Sequence, residues 1–177
     1  MDIKIILGVH PAVQPPKDLL QQCELRTQRR SGPGGQHRNK TSSGVFLTHI
    51  ATQIIGEATE RRSQADNRTV ALKRLRYRLA IEVRSEPDTD ASHDPIEADL
   101  RERYRKNLKR MNDNNEDKPA ILALLLNDLY RSGGQTRLVA DRWDTSTTSL
   151  VNFIRSVPAA FGWLNRLREQ HGMKPLK

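Results

Sequence analysis

A short glycine-rich segment contains the residue types in this sequence that could do chemistry. Residues 31–36 read Ser-Gly-Pro-Gly-Gly-Gln, with three glycines and one proline in four successive positions. This composition predicts an exposed loop, because glycine adopts dihedral angles that other residues avoid. Glycines also let a backbone approach a ligand closely, where a fixed N–H can stabilise negative charge on an attacked carbonyl group. The isolated tripeptide Gly34-Gly35-Gln36 is equally compatible with a plain turn, so its neighbours must decide.

The neighbouring sequence matches an extended pattern. After Gln36 come His37, a variable position and then Asn39-Lys40. A strand-like segment ends in Thr48-His49, and Glu60-Arg-Arg-Ser-Gln64 follows. This series resembles the signature of the catalytic domain of class I peptide chain release factors and is similar in layout to the small stop-codon-independent ribosome rescue factors. The resemblance covers about residues 22–84. It departs from the family at Arg38, commonly Val, and at residues 51–53, where Ala-Thr-Gln replaces the usual Pro-Thr-Gly.

The resemblance implies a function and a mechanism. It implies ribosome-dependent hydrolysis of the peptidyl-tRNA ester, with Gly34, Gly35 and Gln36 as the catalytic residues. The backbone N–H of Gln36 would stabilise the developing negative charge, and its side chain would admit water while excluding larger nucleophiles. The family glutamine is often N5-methylated, so Gln36 is a candidate modification site and a glutamine methyltransferase a candidate partner. We interpret His37 as ribosome-facing or structural, with a general base as the alternative.

The charge distribution favours an RNA partner. The chain of 177 residues has a net charge of +9. Most of the excess lies in residues 24–84, which contain thirteen Lys/Arg and five Asp/Glu. We interpret the basic side chains as phosphate contacts with ribosomal RNA rather than a merely solvated face. The predicted RNA-binding residues are Arg29, Arg30, Arg38, Lys40, Arg61, Arg62, Arg68, Lys73, Arg74, Arg76 and Arg78.

The predicted fold class is α+β. A small release-factor-like domain with a mixed or antiparallel sheet and a long basic helix precedes an all-helical C-terminal unit. We expect an N-terminal leader outside the core at 1–21, the catalytic domain at 22–84, a polar linker at 85–95 and helices over 96–177. Within the domain we predict a strand at 22–28, a hairpin of 44–50 with 53–58, and a helix from Ser63 to about Arg84.

Two features of the C-terminal half have more than one interpretation. A second Gly-Gly-Gln at 133–135 lacks all the neighbours of the first, and we interpret it as a helix terminus with glycine in the left-handed conformation. Residues 135–154 are similar to a helix-turn-helix, although Asp144 stands where that motif often has glycine; a plain helical bundle is the alternative. No similarity to a codon-reading domain follows residue 84, which favours release without a stop codon.

Composition bounds the remaining expectations. The five histidines show no zinc-ligand spacing, so we predict no metal and no cofactor. The single Cys23 excludes an internal disulfide, and we expect it to be a small buried residue rather than a nucleophile. No apolar run is long enough for a membrane span, so we expect a cytoplasmic protein. We also expect a monomer, and the resemblance implies that its partners are the ribosome and peptidyl-tRNA. A non-catalytic ribosome- or nucleic-acid-binding module, or a helix-turn-helix DNA-binding protein, is the competing hypothesis.

Overall fold

Five strands and seven helices are present in the computed structural model, which describes residues 3–28, 43–86 and 94–177. The strands are β1 (Lys4–Leu7), β2 (Cys23–Gln28), β3 (Gly44–His49), β4 (Ile55–Ala58) and β5 (Val83–Glu86). The helices are α1 (Pro16–Gln21), α2 (Gln64–Glu82), α3 (Pro95–Tyr104), α4 (Lys118–Arg131), α5 (Thr136–Arg142), α6 (Thr147–Arg155) and α7 (Pro158–Gln170). No described helix is both long and apolar enough to cross a bilayer. The predicted α+β class is confirmed.

The chain divides into two units. The sheet unit is Gln14–Leu79, and the helical unit combines Met1–Val13 with Ala80–Lys177. These bounds differ from the predicted ranges. Residues 14–21 belong with the sheet unit, and residues 80–84 belong with the helical unit.

An antiparallel sheet of order β2-β3-β4 forms the sheet unit together with α2. The pairing of β3 with β4 confirms the predicted hairpin, and β2 confirms the predicted strand at 22–28. Alternate residues of β3 and β4 are buried, including Val45, Leu47 and Ala58. Helix α2 confirms the predicted helix, and the Ser63 hydroxyl accepts the Asp66 N–H at 3.2 Å as expected of a helix cap.

The helical unit contains a small parallel sheet as well as helices. Strand β1 pairs with β5, from Lys4 opposite Val83 to Leu7 opposite Glu86. Ser85 lies inside the predicted linker, yet it belongs to β5, where its N–H and carbonyl oxygen bind Asn127 and Arg131 of α4. Residues 121–126 of α4 are fully buried, because this leucine-rich helix lies at the centre of the unit.

The N-terminal leader is not outside the core, and that expectation was wrong. His10 and Ala12 are fully buried, and Val13 is 3% exposed. The Ala12 N–H donates to Nδ1 of His10 at 3.1 Å, so Nε2 carries the proton and donates to the Val83 carbonyl at 3.2 Å. The prolines here indicated a break in regular structure, but the pairing of β1 with β5 brings the segment into the helical unit.

The second Gly-Gly-Gln and the turn at Asp144 both contain residues with positive φ. Gly133 and Gly134 have φ of +62° and +85°, and the Gly134 N–H bonds the Leu129 carbonyl at 2.7 Å. This is a Schellman helix end, which confirms the interpretation of the second Gly-Gly-Gln. Asp144 has φ of +48° between α5 and α6, so it adopts the left-handed conformation that glycine adopts more readily.

Candidate functional site

The ends of the loop segment, residues 29–42, are defined by two paired strands. The ladder of β2 with β3 runs from Cys23 opposite His49 to Gln28 opposite Gly44. The last described residue before this segment, Gln28, therefore lies directly across the ladder from Gly44. A Cβ added to Gly44 would lie 3.0 Å from the Gln28 carbonyl oxygen and 3.2 Å from the Thr59 methyl carbon. Glycine at position 44 thus permits a close approach at the base of the loop segment.

Asn67 of α2 binds this base from the helix. Its side chain is fully buried, and its Nδ2 donates to the carbonyl oxygens of Ser43 at 2.6 Å and Arg61 at 2.9 Å. Its Oδ1 accepts the Arg61 N–H at 2.9 Å. One amide therefore joins the first described residue after the loop segment to the turn that precedes α2.

The predicted catalytic residues lie outside the described residues. These residues are Gly34, Gly35 and Gln36, together with the candidate base His37 and the basic residues Arg29, Arg30, Arg38 and Lys40. Their assignments remain predictions from the sequence. The described structure provides the strand ends and the helix that bracket them.

Three predicted RNA-binding arginines are exposed near the loop base. Arg61 and Arg62 lie in the turn before α2, and Arg68 lies in the first turns of that helix. None of the three side chains has an ion pair with another described residue. Lys73 is also exposed, further along α2. The residues Arg61, Arg62 and Arg68 are named here the loop-side arginines.

Arg74 and Arg78 have a second role in the sheet unit. Arg74 donates to the Glu57 carbonyl at 2.8 Å, and Arg78 donates to the Ile55 carbonyl at 2.8 Å. Both carbonyls belong to β4, which pairs with β3 on one side only among the described strands, so the arginines cover backbone acceptors at a sheet edge. Arg74 also forms a two-point ion pair with Glu60. Hydrogen bonds from the backbone of Glu60 and Thr59 lower the pKa of the Glu60 carboxyl, and Arg74 adds to this effect.

Arg76 is buried, although its predicted contact with RNA requires an exposed side chain. Its exposed fraction is only 7%. The physical reason is its helical position, because residues 72, 75, 76 and 79 recur at the spacing of one helix face, and Leu75 and Leu79 are fully buried there. We therefore exclude Arg76 from the residues proposed to contact phosphates.

Cys23 and His49, two other titratable residues of the sheet unit, have hydrogen bonds within that unit. The Cys23 thiol donates to the Leu19 carbonyl at 3.1 Å, and burial raises its pKa to about 11. A thiol with so high a pKa is a poor nucleophile at neutral pH. The His49 ring lies 2.8 Å from the Thr52 hydroxyl and 3.4 Å from Oε1 of Gln22, and burial lowers its pKa. Both residues serve the packing beneath the hairpin turn.

Comparison with known protein families decides the identification. Residues 18–118 match the family described as the RF-1 domain, which is more than half of the chain. The chain belongs to the class I peptide chain release factor family. The match extends beyond the range 22–84 that carried the sequence resemblance, and it includes α3. Residues 119–177 of the chain lie beyond the match.

Individual relatives agree with the family but are much longer. The peptide chain release factor 1-like mitochondrial protein of Rattus norvegicus is 47% identical over 88 residues, 50% of this chain and 20% of that protein. Peptide chain release factor 2 of Variovorax paradoxus (strain S110) is 53% identical over 62 residues, 34% of this chain and 17% of its own length. Peptide chain release factor 1 of Lactiplantibacillus plantarum is 44% identical over 75 residues, 41% of this chain and 21% of the relative. The chain thus matches about a fifth of the length of these relatives.

Sequence reasoning missed the residues that organise the loop base. Asn67 was not singled out, because an asparagine within a helical pattern gives no sign of which backbone groups it will bind. Gly44 and Gly56 are glycines in strands, which is a recognised signal of close backbone approach. That signal could have identified both positions before the structure, although not the residues they approach.

Proposed function

We propose that this release factor hydrolyses the ester of peptidyl-tRNA on the ribosome through Gly34, Gly35 and Gln36. The observation that carries the proposal is the Ser31–Gln36 sequence and its following Asn39-Lys40, within a chain that belongs to the release factor family. The loop base formed by Gln28, Gly44 and Asn67 supports it, because a catalytic tip must be held on a fixed platform.

The proposed chemistry needs little beyond backbone and water. Water attacks the ester carbonyl carbon and negative charge develops on the carbonyl oxygen. The bond to the tRNA ribose oxygen then breaks, and a proton from the water passes to that oxygen. A backbone N–H from Gln36 aimed at the developing charge lowers the barrier by about 3–4 kcal/mol, as single donors do in other oxyanion sites. Orientation of the water supplies a further part, so a Ser-His-Asp arrangement is unnecessary. N5-methylation of Gln36 by a glutamine methyltransferase remains part of the proposal.

We propose that the basic surface of the protein binds ribosomal RNA beside the peptidyl-transferase centre. The exposed Arg61, Arg62, Arg68 and Lys73 support this, because guanidinium and ammonium groups bind phosphates through charge-assisted hydrogen bonds. Arg29, Arg30, Arg38 and Lys40 would extend the surface along the loop segment. A cytoplasmic monomer is the form in which we expect the protein to act.

We further propose that release requires no stop codon. This part rests on the resemblance in layout to the small stop-codon-independent ribosome rescue factors. The test uses ribosomes that carry labelled peptidyl-tRNA on an mRNA truncated after the P-site codon, compared with a sense codon or a stop codon in the A site. We expect release from the truncated complex. Release that occurs only with a stop codon contradicts codon independence, and absence of release from every complex contradicts hydrolysis itself.

A DNA-binding role is the second candidate, and Asp144 is the observation that favours it. Two short helices, α5 and α6, follow each other across the left-handed turn at this residue, and Ser146 caps the second by accepting the Ser149 N–H at 3.1 Å, which supports a helix-turn-helix. In such motifs the second helix docks in the DNA major groove. Binding of duplex DNA at physiological salt by a protein that releases no peptide would favour this candidate over hydrolysis.

A further inference from the structure

We infer that Asn67 is a positioning residue for peptide release, which joins the return point of the catalytic loop segment to the RNA-binding turn at Arg61 and Arg62. The inference rests on the proposed hydrolytic function. It assigns to a residue of α2 the task of relating two surfaces, the loop that reaches the ester and the arginines that bind phosphates.

The first observation is how fully the Asn67 side chain is used. A carboxamide offers two N–H donors and an oxygen that accepts, and both donors and the oxygen of Asn67 are engaged with backbone. Both donors bind carbonyl oxygens, those of Ser43 and Arg61, while the oxygen accepts the Arg61 N–H. No other residue type of similar size offers this pattern, because aspartate has no donor and leucine has no polar atom.

The second observation is which backbone groups are joined. Ser43 directly follows the loop segment, and Gly44 closes the ladder opposite Gln28, where an added Cβ would lie only 3.0 Å from the Gln28 carbonyl oxygen. Arg61 starts the turn that presents two exposed guanidinium groups. Because the Asn67 side chain is fully buried, a broken bond leaves one of its polar atoms poorly solvated.

The functional consequence follows from geometry. When the loop-side arginines bind phosphates, the Arg61 backbone is fixed relative to the RNA, and Asn67 transmits that position to Ser43. A misplacement of a reacting group by about 1 Å costs on the order of 10²-fold in rate. Loss of the Asn67 bonds therefore lowers the rate at saturation more than it lowers ribosome affinity, because the arginines themselves remain.

The test compares Asn67→Asp and Asn67→Ala with Ser63→Ala in the full chain. Asn67→Asp keeps the acceptor and loses both donors, whereas Ser63→Ala removes a cap of the same helix without touching Ser43. Release from ribosomes with truncated mRNA gives kcat and KM, thermal unfolding gives stability, and hydrogen–deuterium exchange follows peptides spanning residues 43–47. Two Asn67 variants are used so that a folding failure of one still leaves the other.

We expect both Asn67 variants to lose about 10- to 100-fold in kcat with KM within about twofold. In both variants we also expect faster hydrogen–deuterium exchange at residues 43–47. Ser63→Ala should keep the wild-type kcat and exchange rate, even if its thermal midpoint falls by as much as those of the Asn67 variants. Wild-type kcat in the Asn67 variants, or an equal loss in Ser63→Ala, would overturn the inference. If the wild type releases no peptide, the proposed function fails separately, and unchanged exchange at 43–47 still overturns the positioning role.

Discussion

Leu75 of α2 packs directly against the backbone of Gly56 in β4, with no room for a side chain between them. A Cβ added to Gly56 would lie 2.5 Å from the Leu75 Cβ and 2.3 Å from the Ala71 carbonyl oxygen. These distances are too short for any carbon contact, so the helix would have to move away from the sheet. The close packing of α2 on β4 also fixes the position of Asn67, which lies earlier in the same helix.

Replacing Gly56 by alanine should therefore destabilise the sheet unit. We expect Gly56→Ala to lower its free energy of unfolding by about 1–3 kcal/mol, the usual cost of overpacking. Both tryptophans, Trp143 and Trp163, belong to the helical unit, so their fluorescence reports on that unit. Urea unfolding followed by far-UV circular dichroism and by tryptophan fluorescence separates the unfolding of the two units.

The control is Gly162→Ala in α7, where an added Cβ meets only the flexible Arg166 side chain at 3.5 Å. This variant should be neutral or slightly stabilising. Unchanged unfolding of Gly56→Ala would contradict the packing.

The loop-side arginines should carry a salt-dependent part of RNA binding. We expect Arg61→Ala with Arg62→Ala to weaken ribosome binding. The slope of log affinity against log salt concentration should also fall, by about one for each phosphate that the variant no longer neutralises. Arg105→Ala is the matched control, because Arg105 is a half-exposed arginine of the helical unit. Equal slopes for the double variant and the wild type would show that these arginines do not bind phosphates.

His49 should make the sheet unit less stable in mild acid. Burial lowers its pKa from 6.5, so below that pH the unfolded chain binds a proton that the folded chain does not. Stability is therefore lost as pH falls from about 6.5 toward the folded pKa. We expect urea midpoints of the wild type to fall between pH 7.5 and 5.5 by more than those of His49→Gln. A His49 pKa above 6.5, measured by NMR titration, would refute this explanation.

Asp128 should be the most sensitive charged residue of the helical unit. It is 2% exposed, and its carboxylate accepts hydrogen bonds from Arg101 at 2.7 Å, from Arg142 at 3.3 Å and from the Trp143 indole at 2.8 Å. Arg101 belongs to α3, Arg142 and Trp143 lie at the end of α5, and Asp128 itself belongs to α4, so the carboxylate joins three helices. We expect Asp128→Ala to cost about 1–3 kcal/mol, because it leaves the buried Trp143 indole N–H without its acceptor. Tryptophan fluorescence in urea measures it, with the exposed Asp99→Ala as control; equal midpoints in the two variants would contradict the role.

Local signals in the sequence were sufficient for much of the fold. The hairpin and α2 follow from periodicity, and the Gly133-Gly134 helix end follows from glycine's freedom at positive φ. Gln53 takes φ of +57° where the family usually has glycine, so the turn persists even though its preferred residue is absent. Such elements depend on neighbours close in sequence, which one sequence contains.

Features that depend on distant partners could not be predicted in the same way. The burial of His10 depends on β1 finding β5, more than seventy residues away. The burial of Arg76 follows from its helical position beside Leu75 and Leu79, which its charge conceals. The bonds of Asn67 depend on Ser43, which is remote in sequence and close only in the folded unit. The catalytic residues Gly34, Gly35 and Gln36 remain predictions, since they lie outside the described residues.

The most direct test of the central claim is a comparison between the two Gly-Gly-Gln sequences of this chain. Peptide release from ribosomes stalled on truncated mRNA is measured for the wild type, for Gly35→Ala and for Gln135→Ala, whose exposed glutamine follows the structural helix end. We predict that Gly35→Ala loses about 100-fold in release rate, because the added methyl group displaces the neighbouring Gln36 N–H by about 1 Å, and that Gln135→Ala keeps the wild-type rate. Equal release by Gly35→Ala and the wild type would contradict the account.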